Sequence, residues 1–192
     1  MSFKSRFFRS YNGDRKYTAQ DWADYFKALI RDGVTYDQDE GLAVYATGSN
    51  MKSRIKTGGA FIQGYNYEQD EEVELVHDTE TSGQNRIDRV ILRLDVSDEV
   101  RKITPMILKG LPSANPAPPV LTQDLTTTKV HEYPLAQVLI ETGKAQIDPG
   151  SITKEAEKAK ILNSNYRQIF ISKDEPTLED GAEGDLWVKY ID

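Results

Sequence analysis

Cysteine is absent from all 192 residues. That removes disulfide frameworks, thiolate metal centres and cysteine nucleophiles together. Histidine is scarce, His77 and His131 being the two, far apart in sequence. Neither has a cysteine or a second histidine nearby, so both are expected at the surface rather than as metal ligands or general bases. A basic excess is also missing: the net charge is −7. Nucleic-acid binding rests largely on clustered Lys and Arg, so no nucleic-acid partner is expected. No apolar run approaches the ~20 residues that span a bilayer. The opening MSFKSRFFRSYNGDRKY has basic residues but no apolar core of a secretory signal, so neither membrane insertion nor general secretory export is expected.

The motifs of common enzyme classes are missing too. There is no GxxxxGK[ST], GxGxxG opening a helix, HExxH, GxSxG or calcium loop of spaced acids ending in glutamate. Each needs fixed spacing because several groups must converge on one ligand. No enzymatic activity, cofactor or metal site is therefore expected. Asp88 and Asp95 suggest a glycosidase pair, but seven residues of strand separate them by over ~20 Å at about 3.3 Å per residue. Paired glycosidase carboxyls lie within about 10 Å of each other.

What is present describes an ordinary folded domain, 38% hydrophobic and 29% charged. A chain of this length buries more than half of its unfolded surface without covalent staples. The sequence predicts a helix over 19–31, with Thr18 as N-cap, Asp21 reaching back and Gly33 as a left-handed C-terminal cap. Trp22, Tyr25, Phe26 and Leu29 share one face, and the first three are expected to pack on the rest of the fold.

Beyond the helix the period changes to two. Strands are expected at 42–47, 51–57, 60–67, 72–77, 85–96, 100–109 and 133–141, with a turn at Gly58-Gly59. In the strongest, Val90, Leu92 and Leu94 point one way, while Arg89, Ile91, Arg93 and Asp95 point the other. Pro105 marks its hairpin partner as an edge or bulged strand. The proline-rich stretch 110–122 is either a long connection between sheets or a peptide ligand. Residues 1–150 are expected to form a helix plus an antiparallel β-sandwich, mainly β. Residues 151–192 are expected to be an extension, with a helix at 153–162 and a hairpin pairing 168–172 with 185–190.

Three patches invite functional questions. Arg86-Ile87-Asp88-Arg89 is either a contact site or, as favoured here, a set of ion pairs fixing strand register. Phe7, Phe8 and Tyr11 either dock a partner or tuck under the helix. Glu68–Glu74 (EQDEEVE) is expected to be a solvated loop and strand edge.

Five blocks, in order, carry a resemblance: SYNGDRKYTAQDWADYFKALIRDGV, GGAFIQGY, NRIDRVILRLD, PSANPAPPVLT and EYPLAQVLIETG. Together they resemble tail and baseplate proteins of long-tailed, siphovirus-type phages of Gram-positive bacteria. The closing EGDLWVKY resembles a segment near domain ends in phage tail fibres. The resemblance implies a helix-plus-β-sandwich module similar to the N-terminal shoulder of lactococcal phage receptor-binding proteins. It further implies docking to other tail or baseplate proteins, homo-oligomerisation and residence in the virion. SITKEAEKAK stands where the family closes on I-T-D-x-R, and longer relatives continue into receptor-binding heads. An anchor without a head is the expectation. A host receptor- or carbohydrate-binding module is the alternative, with Tyr65, Tyr67 and Trp187 as its stacking residues.

Overall fold

A computed structural model describes residues 6–14, 16–35, 41–161, 169–172 and 186–189. The helix α1 spans Ala19–Leu29 and begins in a capping box. The Asp21 amide donates to the Thr18 hydroxyl at 3.2 Å, and the Thr18 amide donates to the Asp21 carboxylate at 3.0 Å. The helix ends at an extended Ile30 rather than at a left-handed glycine. Gly33 instead opens β1, where a Cβ would stand 2.3 Å from the Ala159 backbone. It is glycine because two chain segments touch there.

Among the described residues, eleven strands follow before residue 155: β1 Gly33–Thr35, β2 Val44–Tyr45, β3 Lys52–Ile55, β4 Gly58–Ile62, β5 Tyr65–Gln69, β6 Val73–Val76, β7 Arg86–Asp95, β8 Lys102–Leu108, β9 Gln123–Asp124, β10 Val130–Ile140 and β11 Ile152–Lys154. They form antiparallel sheets in the orders β1-β4-β5, β2-β3-β6 and β11-β10-β7-β8, with β9 also on β10. One core joins them. Val34, Ala60, Ile62 and Ile55 from the small sheets meet Val90, Leu92, Leu94, Leu135, Val138 and Ile140 from the large one. Each such valine, leucine or isoleucine gains about 1.5–3 kcal/mol on burial, so the sandwich-like packing follows from the alternation.

Several expected elements differ. The stretch 60–67 is a hairpin, not one strand, because Gln63 and Gly64 both adopt positive φ (53° and 82°). That is the geometry of a two-residue turn matched to strand twist. Gly58 and Gly59 open β4 instead of making the preceding turn. The proline-rich stretch joins β8 to β9 within one sheet rather than crossing between sheets. Its Pro119 carbonyl accepts from Arg89 on the sheet's outer side, where Ile91 is also fully buried. Pro105 does lie in an edge strand, β8.

No helix forms over the described part of 153–162. The Glu155 and Ala156 amides both donate to the Leu135 carbonyl, and the Val34 and Ala159 amides tie 157–159 beside β1. Tertiary pairing overrides helix propensity there. By compactness the chain divides into Met1–Lys160 and Ile161–Asp192. In the second, β12 (Ile169–Ser172) and β13 (Leu186–Lys189) pair in parallel. A tight hairpin cannot join parallel strands.

Gly64 seats the helix on the β4–β5 turn: a Cβ there would lie 1.9 Å from the Ala23 carbonyl oxygen. Gly13 shares a positive φ (76°) but has nothing within 4 Å of its Cβ position. Gly13→Ala should cost only the left-handed strain, about 1–2 kcal/mol. Gly64→Ala should cost more, because the helix must also move. Thermal unfolding of the two variants tests this; equal losses would mean the helix does not rest on that turn.

Candidate functional site

The alternation that turns Val90, Leu92 and Leu94 inward continues to Asp88 and Arg86. Two charged groups therefore enter the interior, and both find partners. Arg86 Nε donates to Asp88 Oδ1 at 2.8 Å, Nη1 to Glu80 Oε2 at 2.8 Å and Nη2 to the Asp78 carbonyl at 2.6 Å. The Gly110 amide donates to Asp88 Oδ1 at 3.0 Å. His77 Nδ1 lies 2.9 Å from Asp88 Oδ2, and Nε2 lies 2.9 Å from Ser53 Oγ. The network joins β3, the ends of β6 and β8, and the start of β7. Among the described residues no buried side-chain nitrogen or oxygen lacks a hydrogen-bond partner.

The expectation of two surface histidines is thus corrected. His77 is 3% exposed, because its strand end faces inward onto Asp88. His131 is largely covered as well, paired with Asp32 at 3.3 Å.

Ser53, His77 and Asp88 are connected in the atom order of a serine-hydrolase triad. Access separates them from one. Ser53 is 0% exposed and Asp88 1%, whereas a nucleophile must meet a carbonyl carbon. Asp88 also serves Arg86 and Gly110, which a histidine-orienting carboxylate need not do. In this conformation the group is a tie between strands.

Electrostatics agree with that role. Burial pushes the Asp88 carboxyl up, but hydrogen bonds from His77, Arg86 and Gly110 together outweigh it and hold it below its ordinary value. Glu80 is held at about 2, first by Arg86 and then by Ser82. A second set of pairs binds the outer side of the large sheet. Arg89 grips Glu155 with Nε and Nη2 at 2.9 and 2.8 Å, and Arg93 meets Glu132 directly across from it on β10. The Arg86–Arg89 segment therefore makes the register-fixing contacts expected of it.

The surface is where unused chemistry collects. α1 buries only Ala23. Of the three aromatics expected to pack on the sandwich, Phe26 does, with its ring 6.2 Å from that of Phe61. Trp22 and Tyr25 do not; they are 47% and 40% exposed and carry the N-terminal arm instead. Phe7 stacks on Trp22 at 4.4 Å and meets Tyr25 edge-on at 4.8 Å. Arg6 clamps the arm through Asp21 and Asp24 at 3.2 and 2.6 Å. Phe8 and Tyr11 project further, at 59% and 72% exposure. Phe7, Phe8 and Tyr11 thus lie outside the core.

Tyr65 and Tyr67 both pack against the core, and their hydroxyls donate to Gln20 and Gln69 at 3.2 and 2.7 Å. Tyr65 also lines a cavity of about 330 Å³ with Asn66, Asp95, Arg101 and Lys102. The Trp187 side chain lies outside the described residues. Among the described residues no cluster of three or more His, Cys, Asp or Glu could hold a metal ion, and no helix is long and apolar enough to cross a membrane.

Compared with protein-family models, curated proteins and solved structures, the chain matches none of them.

Two outcomes follow from the buried network. Arg86→Met leaves Asp88 and Glu80 without their cation and should cost about 3–5 kcal/mol in denaturant unfolding; a loss below about 1 kcal/mol would show the network to be incidental. The acid limb is the second. Glu80 sits at about 2 in the folded protein against an ordinary 4.5. Its stabilisation is therefore complete above pH 4.5 and is lost as pH falls toward 2. Glu80→Gln should be less stable than the parent at neutral pH, with the gap closing on acidification. A gap that stays constant down to pH 2 contradicts it.

Proposed function

We propose that the chain is a structural adaptor of a phage tail tip or baseplate, docking to other virion proteins rather than turning over a substrate. The observation that carries this reading is where the aromatic surface lies. Among the described residues, six of the eleven exposed large hydrophobics fall between Phe7 and Leu29, on the arm and α1, outside a core already closed by its own sheets. Exposed aromatics gathered on one small element are the usual composition of a binding hot spot. A rigid body with the polar interior sealed suits a part that is built into an assembly. The five sequence blocks similar to tail and baseplate proteins supply the context, and with it the expected partners and virion location.

A host-glycan module is the second reading, favoured by one observation. Tyr65 opens onto the 330 Å³ cavity beside Asn66, Arg101 and Lys102, a mixture of ring, amide and cation that suits a sugar.

Phe8→Ser combined with Tyr11→Ser separates these. Both side chains are exposed, so the doubly substituted chain should keep the parent's unfolding midpoint while losing incorporation into particles, scored by immunogold label at the tail tip. Normal incorporation, or label on the capsid, defeats the adaptor reading. Glycan binding abolished by Tyr65→Ala but untouched by the arm substitutions would install the second reading in its place.

A further inference from the structure

The turn between β7 and β8 holds an arginine in a conformation that arginine resists. The Ser97 carbonyl accepts from the Val100 amide at 3.2 Å, and Arg101 follows with a φ of 45°. Glycine takes a left-handed position at no steric cost, whereas a long side chain there is strained. Phe7 and Gln63 are strained in the same way, and each side chain gains a contact. Phe7 stacks on Trp22, and Gln63 donates to Asp32 at 2.6 Å. Among the described residues no hydrogen bond or ion pair holds the Arg101 side chain, nor that of Lys102 beside it.

Both cations stand at the exposed rim of the cavity of about 330 Å³, which lies between this end of the large sheet, the start of β5 and the start of α1. Ligand pockets run from roughly 300 to 1,000 Å³, so this one has room for a single sugar ring. Leu94 and Ile103 line it with apolar surface. Tyr65 gives its hydroxyl to Gln20 at 3.2 Å, leaving the ring as its surface for a ligand. Asn66 donates its amide nitrogen to Glu68 at 3.0 Å, leaving the amide oxygen as an acceptor. Asp95 is the acid among the lining residues, and its carboxylate accepts from the Ser97 amide at 2.9 Å. Asp98 and Glu99, on the same turn, do not line the cavity. A neutral sugar would use the ring and the amide and leave both cations idle. An anionic group uses them: a guanidinium fork takes two oxygens of a carboxylate or phosphate, and an ammonium adds a point charge.

We propose that this cavity takes a sugar carrying an anionic group, a carboxylate or a phosphate, with its ring on Tyr65 and its charge on Arg101 and Lys102. The inference rests on the glycan reading for the ring. The charge is assigned by the two unpartnered cations and by the strain at Arg101. Strain kept at a position whose side chain has no internal partner is a sign that stability has been traded for binding.

An NMR titration of the isotope-labelled full chain tests it, with glucuronate, a glucose phosphate ester and plain glucose as probes. The two anionic sugars should shift the amides of the β7–β8 turn and of Tyr65 and Asn66, and glucose should bind about tenfold more weakly or worse. A preference for glucuronate assigns the carboxylate, and the reverse preference the phosphate; either supports the proposal. Arg101→Gly is the decisive variant. It should weaken the anionic sugars to the level of glucose while keeping the thermal midpoint at or above the parent's, because glycine takes that φ without strain. A midpoint several degrees lower would make Arg101 a structural residue and overturn the proposal. Lys102→Gln should also weaken the anionic sugars and leave glucose unchanged. Glucose bound as tightly as the anionic sugars, and untouched by Arg101→Gly, overturns the charge assignment and leaves the glycan reading standing. No shift at the cavity with any of the three removes both. The adaptor reading is independent of these outcomes, being scored by incorporation.

Discussion

The contact on which the rest of the structure depends is the fork between Arg86 and Asp88. A guanidinium with no exposed surface is tolerated only when its charge and its donors are met inside. Asp88, Glu80 and the Asp78 carbonyl meet them. Meeting them requires the end of β6, the start of β7 and the end of β8 to sit in one arrangement. His77 extends the requirement to Ser53 on β3, which belongs to a different sheet. Apolar side chains supply most of the burial energy, and a one-residue shift of β7 would turn Val90, Leu92 and Leu94 outward together with Arg86 and Asp88. Removing one partner from such a network costs far more than the intact network adds to net stability, because the remaining charge is left buried and uncompensated.

That rigidity gives the surface its meaning. The N-terminal arm and α1 share little of the core, since Ala23 is the one helix residue fully buried. They are held by a capping box, an arginine clamp and ring stacking, all near solvent. Ion pairs at such exposure contribute little individually. The first unit is thus a closed core with an aromatic face attached by modest contacts. On the proposed adaptor reading, a partner would add the burial that the face lacks by itself.

Much of the fold was legible because it rests on local rules. The capping box at Thr18, the alternation in 85–96 and the edge position of Pro105 each follow from a residue's own chemistry. The features that escaped were non-local. Gly33 reads as a helix cap until Ala159 is seen beside it. The segment 153–162 has helix-favouring residues, but backbone partners on β1 and β10 claim it. The parallel pairing of β12 and β13 leaves no mark in either strand's composition.

The buried network was half legible. Extending the same alternation two steps back from Val90 places Asp88 and Arg86 inward, and a charged pair so placed needs partners. Which partners was hidden, because Ser53, His77 and Glu80 come from other segments at no recognisable spacing. His77 in particular looked like a surface residue for want of any neighbour in sequence. Native-state hydrogen exchange, resolved by residue, tests the account at its centre. The Gly110 amide, which donates to Asp88, and the amides of β7 and β10 should open only with global unfolding, while those of α1 should open by a smaller, separate event. Fast exchange at Gly110, or α1 protected as strongly as β7, would contradict a body held by that network with a separately attached face.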